Sequence, residues 1–147
     1  MLSLRCASPM DLPLVFRLER AYIQNFESEA LRAWESAADR HTEQWVSNLS
    51  RMYMAEMAGN VVGYYFWEVE IDNACLSSIN VLPDFRRQGI GTALLQHFER
   101  NASKDGATLL TLGVIEHNSA RLMYEAAGYL FFRKEGSYRY YRKSLAD

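Results

Sequence analysis

Residues 86–92 combine two arginines and a glutamine with two glycines, Gly89 and Gly91, directly before a predicted helix. The N–H groups at a helix N-terminus have no partner within the helix, and the helix dipole adds about half a positive charge there. Glycines let a ligand approach those N–H groups closely, because they have no Cβ. The segment therefore predicts a binding site for an anionic group such as a phosphate.

The glycines match neither of the two common nucleotide-binding motifs. A Walker loop requires Gly-Lys followed by Ser or Thr, whereas Gly91 is followed by Thr92 and Ala93. The dinucleotide fingerprint requires a third Gly or Ala where Leu94 stands, directly after a strand, but seven residues separate Gly89 from the preceding strand. Both results argue against a domain that binds a nucleotide through either of these motifs. A nucleotide-binding domain is nevertheless kept as a rival interpretation of the sequence.

The chain that must position this loop is predicted to be one domain, 1–147, long enough to bury a core. Apolar residues make up 49% and charged residues 23%, as in ordinary soluble proteins. The net charge of −2 gives no basic surface, so no nucleic-acid partner is expected. We also expect no membrane span and no signal peptide, and hence a cytoplasmic protein, because the apolar runs are short.

Hydrophobic spacing and turn residues predict an α/β (α+β) fold, with one layer of sheet and helices on its faces. The predicted order is strand, two helices, three strands, helix, strand, helix, two strands. The expected segments are strands at 2–6, 52–57, 61–71, 75–81 and 107–114, a helix from Pro9, a helical region at 28–50 broken near 39–41, a helix after Gly89, a helix at 118–127, and two short strands around Gly136.

Cys6 and Cys75 lie far apart and match no metal-binding spacing, so no metal site is expected. We interpret both cysteines as small, buried apolar residues rather than as redox or nucleophilic groups.

Two blocks of the sequence resemble the GNAT superfamily of N-acyltransferases. Residues 79–91, INVLPDFRRQGIG, resemble the family's acyl-CoA motif, Arg/Gln-x-x-Gly-x-Gly/Ala, between the fourth strand and the third helix. Residues 118–129, NSARLMYEAAGY, resemble its Asn-x-x-Ala-x-x-Leu-Tyr-x-x-x-Gly-Phe block. The resemblance is specific over 75–129 and topological over the first 70 residues. It implies the GNAT fold, a single mixed, mostly antiparallel sheet of about six to seven strands with helices on both faces.

The resemblance further implies that acetyl-CoA is the co-substrate. In this family the pantetheine arm pairs with the fourth strand and the diphosphate lies over the glycine loop. In the family the Tyr lies seven positions after the Asn, whereas Tyr124 lies six positions after Asn118, so either the turn is shortened or His117 takes the Asn position. The residues then expected to contact acetyl-CoA are Ile79, Asn80, Val81, Arg86, Arg87, Gln88, Gly89, Ile90, Gly91, Thr92 and Asn118.

Tyr124 matches the family's general acid, and its alternative role is that of a packing tyrosine. An amine that attacks a thioester expels a thiolate, and a phenol with a pKa of about 10 can return a proton to it. The two positions at which family members carry a catalytic glutamate hold Gly113 and Cys75 here. For the nearby carboxylates and imidazole a structural or solvated role is favoured; these are Glu68, Glu70, Glu116 and His117.

The predicted function is therefore transfer of an acetyl group from acetyl-CoA to a primary amine of a small molecule or a peptide. The segment that lies against the acceptor in this family is acidic and aromatic here, which favours a cationic acceptor unless these side chains only face solvent. The alternative function is an acyl-CoA-binding module without turnover, and the sequence leaves a monomer or a homodimer open. The candidate substrate residues are Phe26, Glu27, Glu29 and Glu68.

Overall fold

The computed structural model describes residues 1–145, in which seven strands form one sheet surrounded by five α-helices. Short 3-10 turns precede α1, α2 and β2 and follow β4. The strands are β1 (Ser3–Cys6), β2 (Met52–Met57), β3 (Asn60–Glu70), β4 (Asn73–Val81), β5 (Leu109–Ile115), β6 (Leu130–Glu135) and β7 (Tyr138–Ser144). The helices are α1 (Leu12–Phe26), α2 (Leu31–Ser36), α3 (Ala38–Ser47), α4 (Ile90–Lys104) and α5 (Arg121–Ala126).

The sheet is mixed, with strand order β1-β2-β3-β4-β5-β7-β6. Neighbouring strands are antiparallel except β4 and β5, which are parallel. Parallel neighbours need a crossover connection, and α4 lies in that connection. The expectation of one mixed, mostly antiparallel sheet with helices on both faces is confirmed.

The two faces of the sheet carry separate cores. On the face covered by α4 and α5, here called the α4 face, Phe98 and Tyr124 pack in one buried cluster. On the opposite face, the α1 face, Val15 and Trp45 belong to a second cluster. β3 contributes to both clusters, because successive strand residues point to opposite faces.

Two helix boundaries differ from the sequence prediction. The helical region breaks at Ala37 and not at 39–41, because the chain turns there to bury Ala37 and to stack the rings of Trp34 and His41 with centroids 4.7 Å apart. The last helix begins at Arg121 and not at Asn118. The Asn118 side chain instead forms a turn, in which its Oδ1 accepts a hydrogen bond from the Ala120 N–H at 2.9 Å.

The prediction that both cysteines are buried is wrong for Cys6. This residue ends the edge strand β1 and is exposed, whereas Cys75 in β4 is partly buried. Burial raises the pKa of the Cys75 thiol, which keeps it protonated. Among residues 1–145 no helix is long and apolar enough to span a bilayer, and no three His, Cys, Asp or Glu side chains are grouped as metal ligands would be.

Candidate functional site

The parallel strands β4 and β5 separate near the middle of the sheet. They pair only over Asn73–Leu76 and Leu109–Leu112, although both strands continue beyond those residues. On its other side, β4 stays paired with β3, since Ile79 lies opposite Tyr65. Within the described part of the chain, the edge of β4 that faces β5 therefore has no strand partner over residues 77–81, and an extended ligand can pair with the backbone there.

A β-bulge lies where this separation begins. Phe66 of β3 pairs with Ser78, and its neighbour Trp67 pairs with Leu76, so Ser77 is an extra residue in β4. Ser77 Oγ donates a hydrogen bond to Glu68 on the α1 face, and Ser78 Oγ donates one to Glu19 of α1 on the same face. The bulge thus directs two consecutive hydroxyls to one side of the sheet.

The glycine loop lies at the start of α4, beyond the end of β4. Gly89 has φ +81°, and the first hydrogen bond of the helix runs from Ala93 N–H to its carbonyl at 3.0 Å. The N–H groups of residues 90–92 therefore have no acceptor within the helix. Arg87 has φ +62°, a left-handed conformation that is unfavourable for a residue with a side chain and that is found more often at functional sites.

Two residues connect this loop to its surroundings. Arg86 Nε donates a hydrogen bond to the Val81 carbonyl at 3.0 Å, which joins the loop to the end of β4. A Cβ on Gly91 would lie 3.1 Å from Met123 Sδ of α5. A side chain at position 91 would therefore crowd Met123, so Gly91 eases the packing of α4 against α5 as well as any close approach of a ligand, a reason that the sequence did not reveal. No atom lies within 4 Å of a Cβ built on Gly89, where the positive φ accounts for the glycine.

Tyr124 projects from α5 into the core of the α4 face, where it is 5% exposed. Its ring packs edge-on against Tyr129, with the centroids 6.1 Å apart. Burial raises the pKa of the Tyr124 phenol far above its ordinary value, and the nearby Tyr22 acts in the same direction. The phenol is therefore protonated at neutral pH, the state required of a proton donor.

Side chains from three elements meet near the end of β5, in the region where the sequence predicted the acceptor, and are here called the acceptor-side cluster: Tyr22, Phe26, Glu27, His117 and Tyr138. The Phe26 ring lies between those of Tyr22 and His117, at centroid distances of 4.9 and 5.7 Å. The Tyr138 hydroxyl of β7 donates a hydrogen bond to Glu27 Oε2 at 2.5 Å. Burial raises the pKa of Tyr22, while its hydrogen bond with Asn118 acts against that shift.

The candidate substrate residues divide into three groups. Phe26 and Glu27 lie in the acceptor-side cluster. Glu68 lies apart from it on β3, where its Oε1 accepts hydrogen bonds from Ser77 Oγ at 2.6 Å and from Gln44 Nε2 at 3.1 Å. Glu29 is exposed, and no hydrogen bond or ion pair within residues 1–145 joins it to the cluster.

Other residues of this region could not be singled out from the sequence. Tyr138 belongs to the C-terminal hairpin, and Glu19 has the appearance of a polar residue on an amphipathic helix. Both are brought in by contacts between segments distant in the chain, 111 residues apart for Tyr138 and Glu27.

Comparison with known proteins gives the family. The acetyltransferase (GNAT) domain family matches residues 22–140. The ribosomal protein bS18-alanine N-acetyltransferase of Escherichia coli is 38% identical over 72 residues, which are 48% of this chain and 49% of that protein. The family match covers most of the chain, which therefore belongs to the GNAT acetyltransferase family. The match to the Escherichia coli protein spans about half the length of that curated relative.

Solved structures of low sequence identity share the fold over nearly the whole chain. The PaiA N-acetyltransferase of Thermoplasma acidophilum, in complex with coenzyme A, has a TM-score of 0.84 at 19% identity and covers 99% of both chains. The ribosomal-protein-S18-alanine N-acetyltransferase of Escherichia coli has a TM-score of 0.73 at 22% identity, covering 100% of this chain and 96% of that one. The GNAT fold predicted from the two motifs is thus confirmed.

Proposed function

We propose that the protein transfers an acetyl group from acetyl-CoA to a primary amine. The observation that carries this proposal is the open edge of β4 beside β5, which leads to the free N–H groups at the start of α4. An extended pantetheine arm pairs with the backbone of Ile79, Asn80 and Val81, and the diphosphate lies over the loop. Arg86, Arg87, Gln88, Gly89, Ile90, Gly91 and Thr92 contact the diphosphate in this arrangement, and Asn118 lies near the arm. The fold neighbour solved with coenzyme A supports the choice of cofactor.

In the proposed reaction the acceptor nitrogen attacks the thioester carbon directly, within a complex that holds both substrates. The carbon–sulfur bond breaks, and the buried Tyr124 phenol gives its proton to the departing thiolate. This role is supported by the close approach of α4 and α5 at Gly91 and Met123, which puts the loop and Tyr124 on the same face of the sheet.

The acceptor is proposed to be the free amino terminus of a peptide or protein. Two observations support this: the curated relative is named for acetylating the alanine of a ribosomal protein, and Glu27 offers a carboxylate beside the aromatic rings of the acceptor-side cluster. A carboxylate next to aromatic rings attracts a cation and favours an ammonium group over a neutral acceptor. A small polyamine satisfies the same chemistry and is the second candidate.

The test is a transfer assay with purified protein, acetyl-CoA and a panel of amines, in which free thiol is measured and the acetylated product is identified by mass. The panel contains short peptides that begin with alanine, the same peptides with blocked termini, and polyamines. We expect thiol release with free peptide termini and none with blocked ones. Saturable acetyl-CoA binding without thiol release from any amine would replace the proposed enzyme with an acyl-CoA-binding module.

A further inference from the structure

A carboxylate with two neutral hydrogen-bond donors lies beside the separated part of β4. Glu19 of α1 accepts one hydrogen bond from the Tyr64 hydroxyl of β3 and another from the Ser78 hydroxyl of β4. Both donors reach the same oxygen, Oε2, and no ion pair within residues 1–145 involves Glu19. Burial raises the pKa of this carboxyl group, while the two hydrogen bonds act in the opposite direction. A carboxylate with these surroundings takes up a proton more readily than a solvated one.

The position of Ser78 connects this carboxylate to the gap. Leu76 is the last residue of β4 that pairs with β5, and Ser78 lies beyond it, next to Ile79. Glu68 accepts its hydrogen bond from Ser77 instead. In the register of β3 against β4, Glu68 lies opposite Cys75, which is within the part of β4 that pairs with β5. Ser77 and Ser78 both lie in the open stretch 77–81, but Ser78 lies further into it and joins Glu19 to that part of the strand, whereas Glu68 itself lies opposite the paired part of β4.

We propose that Glu19 accepts the proton of the acceptor amine, and that the Ser78 hydroxyl passes the proton to it. This inference rests on the proposed acetyl transfer. It gives a base to a site in which Gly113 and Cys75 occupy the two positions where family members carry one. Because the Ser78 O–H points to Glu19, the lone pairs of its oxygen remain available to an ammonium group on the other side.

The proton transfers balance as follows. The ammonium group gives a proton to Ser78 Oγ while Ser78 gives its own to Glu19, which leaves a free amine, a neutral carboxyl and an unchanged hydroxyl. The amine nitrogen attacks the thioester carbon, the carbon–sulfur bond breaks, and Tyr124 protonates the thiolate. The surplus proton on the nitrogen returns to the Tyr124 phenolate, and Glu19 releases its proton to solvent. The products are an amide, a free thiol and one proton.

The other titratable groups around Glu19 do not take over this role. Burial and the adjacent Glu19 raise the pKa of Tyr64 well above its ordinary value, so this phenol stays a donor. The charge of Glu19 also contributes to the raised pKa of Tyr22, one turn further along α1. Arg20, the cation next in sequence, pairs with Glu35 of α2 at 3.4 Å at the surface.

The experiment measures kcat/KM against pH for the intact enzyme and its variants, with a short alanine-initiated peptide whose amino group has a pKa of about 8. Glu19→Gln keeps the size of the side chain but cannot take up a proton. We expect its rate to fall with the fraction of free amine, to about 10²-fold below the parent at pH 6, because about 1% of an amine with a pKa of about 8 is free there. Near pH 9.5 the two rates should converge, and Ser78→Ala should give the same profile.

The matched control is Glu99→Gln, because Glu99 also accepts a hydrogen bond from a tyrosine hydroxyl, that of Tyr129, but on the α4 face. Its rate should keep the pH dependence of the parent. A rate ratio for Glu19→Gln that is constant with pH overturns the inference, since it indicates a purely structural role. A pH-dependent loss in Glu68→Gln instead of Glu19→Gln also overturns it. If the parent acetylates no amine at all, the proposed function fails, and the inference fails with it.

Discussion

The ring of Tyr140 lies over Gly113, with its Cε1 2.8 Å from the place that a Cβ on residue 113 would take. Gly113 follows Leu112 on β5, where the family resemblance places a catalytic glutamate in members that acetylate protein N-termini. The site therefore lacks that carboxylate, and the space next to the backbone is occupied by an aromatic ring. Arg133 of β6 stacks on the same ring, at 4.5 Å from its centroid.

Introducing the family's glutamate should not improve the enzyme. We expect Gly113→Glu to lower the free energy of unfolding by about 1–3 kcal/mol, because Tyr140 must move for any Cβ to fit. The transfer rate should be no higher than that of the parent. The measurement is urea unfolding at pH 7, with the substitution made also in a Tyr140→Ser background. The loss of unfolding free energy should be smaller in the Tyr140→Ser background. Equal losses in both backgrounds would contradict a contact between residue 113 and Tyr140.

Arg87 combines an unfavourable backbone conformation with a position at the proposed diphosphate site. Arg87→Gly should raise the free energy of unfolding of the ligand-free protein by up to about 1 kcal/mol, because a left-handed φ costs other residues about 1–2 kcal/mol. The same change should weaken acetyl-CoA binding by about 10- to 100-fold, through loss of a charge-assisted hydrogen bond of about 1.5–3 kcal/mol.

Acetyl-CoA binding to this variant is best measured by titration calorimetry, with Arg100→Ala as the control. Arg100 is an exposed arginine in the C-terminal half of α4, away from the loop. If Arg87→Gly binds acetyl-CoA as the parent does, Arg87 does not contact the diphosphate.

The parts of the fold that could be predicted from the sequence are those with local signals. The glycines at 89 and 91 marked the start of α4, and the turn-forming pair Gly59 and Asn60 lies between the two strands predicted at 52–57 and 61–71. The break at Ala37 gave no such signal, because it depends on how the Trp34 and His41 rings stack in three dimensions. Residue type alone likewise did not distinguish the exposed Cys6 from the partly buried Cys75.

Tyr124→Phe tests the proton donor. The variant should bind acetyl-CoA with unchanged affinity and lose turnover by about 10²–10⁴-fold, the range typical of a general acid. Because burial raises the pKa of this phenol, the parent should not lose activity through ionisation of Tyr124 up to pH 10. Measuring both kcat and the dissociation constant for acetyl-CoA separates a loss of turnover from a loss of cofactor binding. A loss of less than about threefold at every pH would leave Tyr124 with a packing role only.

The acceptor-side residues were the least predictable part of the site. Glu27 was a candidate because it lies in an acidic segment, but its partner Tyr138 is distant in sequence. Glu19 lies 45 residues from Tyr64 and 59 from Ser78, and the polar face of a helix is where glutamate is ordinarily found. Sequence periodicity records which face is apolar, and it does not record which polar residues the sheet will bury.

Glu19 should also make stability depend on pH. A carboxyl whose pKa is raised in the folded state contributes stability at low pH, which is lost as pH rises through that pKa. The unfolding free energy of Glu19→Gln minus that of the parent should therefore be larger at pH 8 than at pH 4. Glu99→Gln should instead be destabilised at pH 8, because it loses the ion pair with Lys143, which is 3.2 Å long. The quantity to compare is the difference in unfolding free energy between each variant and the parent at both pH values.

Glu27 and Glu29 offer a matched test of the acceptor site, because only Glu27 lies in the acceptor-side cluster. Glu27→Gln removes the negative charge but keeps an oxygen that can accept from the Tyr138 hydroxyl, so the cluster should keep its geometry. The KM for a cationic peptide should rise about three- to tenfold, since an incompletely solvated charge pair contributes on the order of 1 kcal/mol. It should also become less dependent on salt, while the KM for acetyl-CoA stays unchanged. Glu29→Gln removes the same charge from an exposed position and should change the acceptor KM by less than about twofold. Equal effects of the two substitutions would mean that the whole segment acts through its net charge, and no effect of either would place the acceptor's ammonium group elsewhere.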